Sequence, residues 1–124
     1  MRNIYSNIIE MNRKSLTKIE KILTKGQIIA LPTETVYGLA GNAYSNSAVK
    51  KIYKIKRRPK KNPLIVHYYD LSKAGNDFHY DKNFLKLYKK FCPGPITFIV
   101  KRKKNSRISS YAYSKLDTVA VRFP

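Results

Sequence analysis

The sequence predicts an α/β fold, because short apolar runs bounded by glycine or proline alternate with amphipathic segments of helical period. Two further observations support that class. The 124 residues are 43% hydrophobic, enough for one domain with a single core. Residues that favour helix caps also stand ahead of two of the amphipathic segments.

Taken in order, Ile4, Ile8 and Met11, then Leu16, Ile19, Ile22 and Leu23, recur at helical spacing, and Gly26 stands where a helix stops. The run from Gln27 to Leu31 lies between Gly26 and Pro32 and suits a buried strand. Pro32 to Gly38 reads as a turn or loop. Ser45, Asn46 and Ser47 offer caps for a helix with Ala48, Val49, Ile52, Tyr53 and Ile55 on its apolar side. The basic run Lys54 to Lys61 follows, with Pro59 and Pro63 ending the helix, and Leu64 to Tyr68 reads as a second strand.

Asp81 caps a further helix that directs Phe84, Leu85, Tyr88 and Phe91 inward, closed by Cys92-Pro93-Gly94-Pro95. Ile96 to Val100 is a third strand, Lys101 to Asp117 a polar, basic, mobile loop, and Thr118 to Arg122 a fourth strand. The sequence given stops at Phe123-Pro124, directly after that strand. An uncovered apolar edge is therefore expected, and with it a missing segment and a tendency to self-associate.

Charge is the extreme feature: 26 Lys+Arg against 7 Asp+Glu, a formal net charge of +19. Such a field attracts polyanions, including nucleotides and tRNA, although compositional drift produces the same excess. No apolar run reaches membrane-spanning length, and no leader pattern opens the chain, so a non-membrane, cytoplasmic protein is expected. A single cysteine, Cys92, forbids an intramolecular disulfide and a cysteine-based metal cluster. It reads as a buried structural thiol in a reducing compartment. The histidines and carboxylates form no zinc pattern, so no protein-bound metal is expected. Neither a P-loop nor a Gly-x-Gly-x-x-Gly turn is present, so any ATP site is of another kind.

Two segments and a strand end can carry chemistry. Pro32-Thr33-Glu34-Thr35-Val36-Tyr37-Gly38 follows a strand directly, where open α/β sheets bind ligands, and supplies hydroxyls and a carboxylate. A plain turn with a solvated Glu34 is the alternative. Lys56 to His67 holds Lys56, Arg57, Arg58 and Asn62 before a strand ending near His67, cations suited to phosphate unless they form a solvated face. His79 reads as surface. Arg122 ends the fourth strand, where a guanidinium needs water or an anion, and Thr118 shares its face.

The ordered stretches PTETVYGL at 32–39, KRRPKKNPLIVH at 56–67, CPGPITFIV at 92–100 and TVAVRFP at 118–124 resemble the YrdC-like family of threonylcarbamoyl-AMP synthases. The resemblance covers residues 15 to 124. It implies one YrdC-like domain over residues 1–124, a twisted mixed sheet with flanking helices around a basic cavity. It also implies that the carboxyl-terminal part is missing, since the family continues past Arg-x-Pro into a Ser-x-Asn segment. The implied reaction joins L-threonine, bicarbonate and ATP, with Mg2+, and releases pyrophosphate. The product, L-threonylcarbamoyladenylate, passes to tRNA threonylcarbamoyl-transfer proteins acting at adenosine 37.

Position by position, the resemblance assigns Thr35, His67 and Arg122 to threonine, and Arg58, Asn62 and Thr118 to ATP. Lys56 and Arg58 take the catalytic role of adding positive charge at the phosphates. Three alternatives remain open: a basic RNA-binding module in which Tyr111 and Tyr113 beside Arg107 stack on bases, an inactive synthase fragment, and a related carbamoyl-transfer domain of hydrogenase maturation.

Overall fold

The computed structural model describes residues 7–124, so the expectation for Ile4 lies outside the described residues. The element order is α1 (Arg13–Thr24), β1 (Ile28–Pro32), β2 (Tyr37–Gly41), α2 (Asn46–Lys56), β3 (Ile65–His67), α3 (Leu71–Ala74), α4 (Lys82–Phe91), β4 (Thr97–Lys101) and β5 (Thr118–Arg122).

Helix α1 starts later than its hydrophobic spacing suggested. Asn12 and Ser15 cap each other reciprocally, the Asn12 side chain accepting from the Ser15 N–H at 2.9 Å and the Asn12 N–H donating to Ser15 Oγ at 2.8 Å. Ile8 and Met11 therefore precede the helix and stay exposed. Its end matches the expectation. The Gly26 N–H donates to the Leu23 carbonyl and the Gln27 N–H to the Ile22 carbonyl, a Schellman closure that needs a left-handed residue. Gly26 supplies it, with φ of +68°.

Strands β1 and β2 form an antiparallel hairpin, with Ala30 opposite Leu39 and Pro32 opposite Tyr37. The stretch expected to be loop through Gly38 is thus partly strand. Tyr-Gly-Leu-Ala-Gly carries little β-propensity of its own, and pairing with β1 overrides it. The turn itself, Thr33 to Val36, is stapled by the Thr33 hydroxyl, which donates to the Val36 carbonyl and accepts from the Val36 N–H.

The second sheet has the order β3-β5-β4, with β3 parallel and β4 antiparallel to β5. It is a mixed sheet, as expected, but β5 is its central strand. The uncovered last strand expected from the sequence is thereby corrected: both edges of β5 are paired, and the argument for self-association through it falls. Alternation along the strands separates two faces. Val66, Phe98, Val100, Val119 and Val121 point into the core, while His67, Thr97, Ile99, Thr118 and Arg122 share the other side.

The core is aromatic. Phe78 is fully buried against Tyr68, Tyr80 and Phe84, the Phe84 and Phe98 rings lie 4.6 Å apart, and Tyr88 meets Phe123 edge-on at 4.9 Å. Asp81 caps α4 as predicted, its side chain accepting from the Phe84 N–H at 2.8 Å. Phe84 is buried and Leu85 and Tyr88 partly so, but Phe91 is exposed, because it occupies the last helical turn before Cys92. Half-buried Cys92 packs on the core, and burial pushes its thiol pKa up, as suits a structural thiol.

The segment from Lys101 to Asp117 is not the solvated loop its polarity suggested. Ile108, Ser109, Ala112 and Tyr113 are buried in it. Its backbone is tied down where the Ser109 N–H donates to the Ala43 carbonyl and the Leu64 N–H to the Ala112 carbonyl. The Arg102 guanidinium lies 4.5 Å over the Tyr113 ring.

Truncating the residue at the centre of the aromatic cluster, Phe78→Ala, should cost about 3–5 kcal/mol of unfolding free energy. Chemical denaturation reads this, and a loss below about 1 kcal/mol would mean that the cluster collapses around the cavity.

Candidate active site

The hairpin and the mixed sheet face each other across a cleft of about 790 Å³. Thr35 reaches it from the hairpin turn, Lys56 and Arg58 from the end of α2, His67 from the end of β3 and Arg122 from the end of β5. These five come from four separate elements and meet on one surface. Asn62 and Thr118 do not line the cleft. Asn62 is exposed, and its backbone carbonyl accepts from the Tyr53 hydroxyl and from Arg58. Thr118 lies on the same sheet face as Arg122 but pairs with Lys101 at the far end of β5.

Arg122 is the most constrained of these side chains. Register places His67 on one side of it and Thr97 on the other, so the three form one row across the sheet. Its Nε and Nη2 donate to Thr97 Oγ1 at 3.0 and 2.8 Å, and its Nη1 meets Glu34 Oε1 at 2.8 Å. The two side chains are 16% and 21% exposed, but Glu34 as a residue stands exposed on the turn, so the pair remains open to solvent screening. It also joins the hairpin turn to the mixed sheet at the mouth of the cleft. Glu34 is thus exposed, as the plainer reading has it, but ion-paired rather than free.

Backbone hydrogen bonding in the turn, followed by Arg122 and then His67, holds the Glu34 carboxyl below its ordinary value. Partial desolvation lowers the pKa of the still-exposed His67 below 6.5, with the Glu34 charge drawing it up and Arg122 pressing it down. The imidazole is thus mostly neutral near pH 7 and offers one donor and one acceptor.

Local backbone geometry sets the cations. Arg57 closes α2 in the left-handed region with φ of +48°, which turns the chain before Pro59. Arg58 then folds back on the following loop, its Nε donating to the Asn62 carbonyl at 3.1 Å and its Nη2 to the Pro63 carbonyl at 2.8 Å. These bonds lock the guanidinium at the cleft wall before any ligand arrives.

A buried carboxylate that sequence reasoning missed fixes the opposite wall. Asp77, 3% exposed, accepts from the hydroxyls of Tyr44 at 2.6 Å, Tyr68 at 2.8 Å and Ser106 at 2.8 Å. Burial and the Asp77 bond push the Tyr44 phenol up to about 12 and raise Tyr68 as well, so both stay protonated donors. Both tyrosines line the cleft. The partners lie 33 and 9 residues from Asp77, and no sequence period links them. Thr97 was missed as well, although its outward place in β4 follows from alternation.

Among the described residues, no helix is long and apolar enough to cross a membrane. The base-stacking role expected for Tyr113 is corrected, since that ring is buried and already covered by Arg102.

A hairpin and a mixed sheet enclosing a basic cleft, with cations contributed by strand and helix ends, define an α/β domain with a cationic cleft at its strand ends. The family model Sua5/YciO/YrdC, described as "Telomere recombination", matches residues 21–124, and the chain belongs to this family. Threonylcarbamoyl-AMP synthase of Bacillus subtilis (strain 168) is 39% identical over 117 residues, which cover 94% of this chain and 34% of that protein. The crystal structure of P. abyssi Sua5 complexed with L-threonine superposes with a TM-score of 0.86 at 33% identity, covering 94% of this chain and 34% of that one. A full-length HypF structure shares the fold, with a TM-score of 0.74 at 23% identity over 88% of this chain and 17% of that one. The chain thus spans about a third of the length of the two synthase-family relatives.

In an NMR titration, the His67 imidazole should titrate below 6.5, and Glu34→Gln should move its midpoint lower still by removing the charge that draws it up. An unchanged midpoint in the variant would break the proposed coupling of turn and sheet. The sign for stability follows from the same shift. His67 and Glu34 both hold fewer protons folded than unfolded, so each stabilising contribution is present above its unfolded pKa and is lost on acidification, from about pH 6.5 down for His67.

Proposed function

We propose that this chain forms the threonine- and ATP-binding part of a threonylcarbamoyl-AMP synthase, which makes L-threonylcarbamoyladenylate for tRNA adenosine 37. The observation that carries the reading is the His67–Arg122–Thr97 row beside the Thr35 turn, with Lys56 and Arg58 on the same cleft. A relative that is a threonylcarbamoyl-AMP synthase and a Sua5 structure complexed with L-threonine support it.

In this reading the α-carboxylate of threonine takes the Nη1 side of Arg122 in place of Glu34, a bidentate-capable cation exchanging one carboxylate for another. Thr35 and the neutral His67 bond the remaining polar groups of the amino acid. The threonine amine and bicarbonate give a carbamate and water. A carbamate oxygen then bonds to the α-phosphorus of ATP as the bond to the β-phosphate oxygen breaks, and pyrophosphate departs. Lys56 and Arg58 stabilise the charge spreading over the phosphate oxygens, Arg58 already held by two carbonyls and so needing little reorganisation. Positioning of the attacking oxygen supplies much of the remainder. Asn62 and Thr118 would reach ATP only from beyond the cleft lining. Among the described residues no cluster of His, Cys, Asp or Glu suits a metal, so magnesium would enter held by phosphate oxygens and water.

Product transfer to tRNA-modifying partner proteins belongs to the same proposal, as does a cytoplasmic setting. Calorimetry tests the division of roles. Arg122→Ala should weaken L-threonine binding about tenfold or more and ATP binding much less, whereas Arg58→Ala should do the reverse. Equal losses for both ligands in both variants would contradict the assignment, and threonine-independent, salt-sensitive RNA binding would favour the RNA-module reading.

A further inference from the structure

A second, smaller cavity of about 390 Å³ opens beside the main cleft and shares Tyr44 and Lys73 with it. Asn76, Asp77, Asn105 and Arg107 complete its lining. None of these four belongs to the threonine or ATP assignments. The cavity wall is built as a chain of supports. Buried Asp77 accepts the Tyr44 hydroxyl at 2.6 Å and so fixes that phenol, and the Tyr44 ring carries the Arg107 guanidinium 5.6 Å from its centroid. Lys73 arrives from α3, whose start is held by the Asp70 side chain accepting from the Lys73 N–H. Two amide side chains add neutral donors.

Asp77 does not make this a cation site. One carboxylate oxygen accepts from Tyr44 and Tyr68 and the other from Ser106, so its acceptor capacity is turned toward hydroxyls. Against its single negative charge stand Lys73 and Arg107, which leaves the cavity positive. A planar guanidinium, an ammonium and two amides around a space of this size suit a tetrahedral oxyanion.

We propose that this second cavity is a phosphate-group site, with Arg107 and Lys73 as its charged ligands and Asn76 and Asn105 as its neutral donors. The shared wall places it beside the main cleft, so its phosphate comes either from pyrophosphate released there or from free inorganic phosphate. The site stands independently of the threonine assignment.

The test is titration of the full chain with inorganic phosphate and with pyrophosphate at about 0.15 M salt, where diffuse surface attraction is screened. Arg107→Ala should lower affinity about tenfold or more. Lys104→Ala removes the same charge from an exposed neighbour outside the lining and should leave affinity within about twofold. Pyrophosphate binding tighter than phosphate identifies the released product as the source, and equal binding identifies free phosphate. The proposal is overturned by equal losses in the two variants or by no binding to a cooperatively folded chain. It is also overturned if binding is abolished by Arg58→Ala and kept in Arg107→Ala, which would place the anion in the main cleft. Failure of threonine to bind would leave these readouts unchanged, so the two proposals fail separately.

Discussion

The anchoring of Arg122 is the constraint on which the geometry of the cleft depends. One guanidinium holds Thr97 on β4 with two of its nitrogens and Glu34 on the hairpin turn with the third. The first pair is internal to the mixed sheet and fixes the plane of the fork. The second spans two sheets that share no backbone pairing, so it sets how the turn stands over the strand ends. A long, flexible cation is thereby turned into a fixed donor, the preorganisation that makes a ligand carboxylate cheaper to bind. Glu34 also partly neutralises that cation.

The rest of the molecule supports this arrangement from behind. Central strand β5 places Arg122 between His67 and Thr97, and its alternate residues Val119 and Val121 are buried in the aromatic core. The packing that stabilises the sheet therefore fixes the row of polar ends on its other face. Across the cleft, Asp77 plays the matching part for Tyr44 and Tyr68. A buried carboxylate is costly when unpaired, and three hydroxyl donors offset that cost while holding the two rings in place. The segment from Lys101 to Asp117 closes this wall through Ser106 and its buried Ile108, Ala112 and Tyr113.

Local features were legible where a local cause produces them. The caps at Ser45 and Asp81, the stop at Gly26 and the strands around Phe98 and Val121 follow from short-range chemistry and period. Strand β2 was not legible, because two glycines and an alanine in five residues gain their pairing only from β1. The central place of β5 was hidden for a similar reason: its parallel partner Ile65–His67 lies far upstream, and pairing across such a distance leaves no local mark. For the cleft, Arg122 could be read as a guanidinium in want of an anion, but its partner Glu34 stands 88 residues away. The four ordered stretches carried the family, whereas the Asp77 network, formed by residues of ordinary type at irregular spacing, carried no signal.

The claim that a pre-anchored Arg122 receives the amino-acid carboxylate is tested most directly by comparing L-threonine affinity in the native chain and in Thr97→Val. This substitution removes the hydroxyl that fixes the fork while nearly preserving volume, and Thr97 does not line the cleft. The account predicts a cooperatively folded variant whose threonine affinity falls about tenfold, from the lost orientation of Arg122. Unchanged affinity in a folded Thr97→Val chain would contradict it, because Arg122 would then bind threonine without its anchor or not bind it at all.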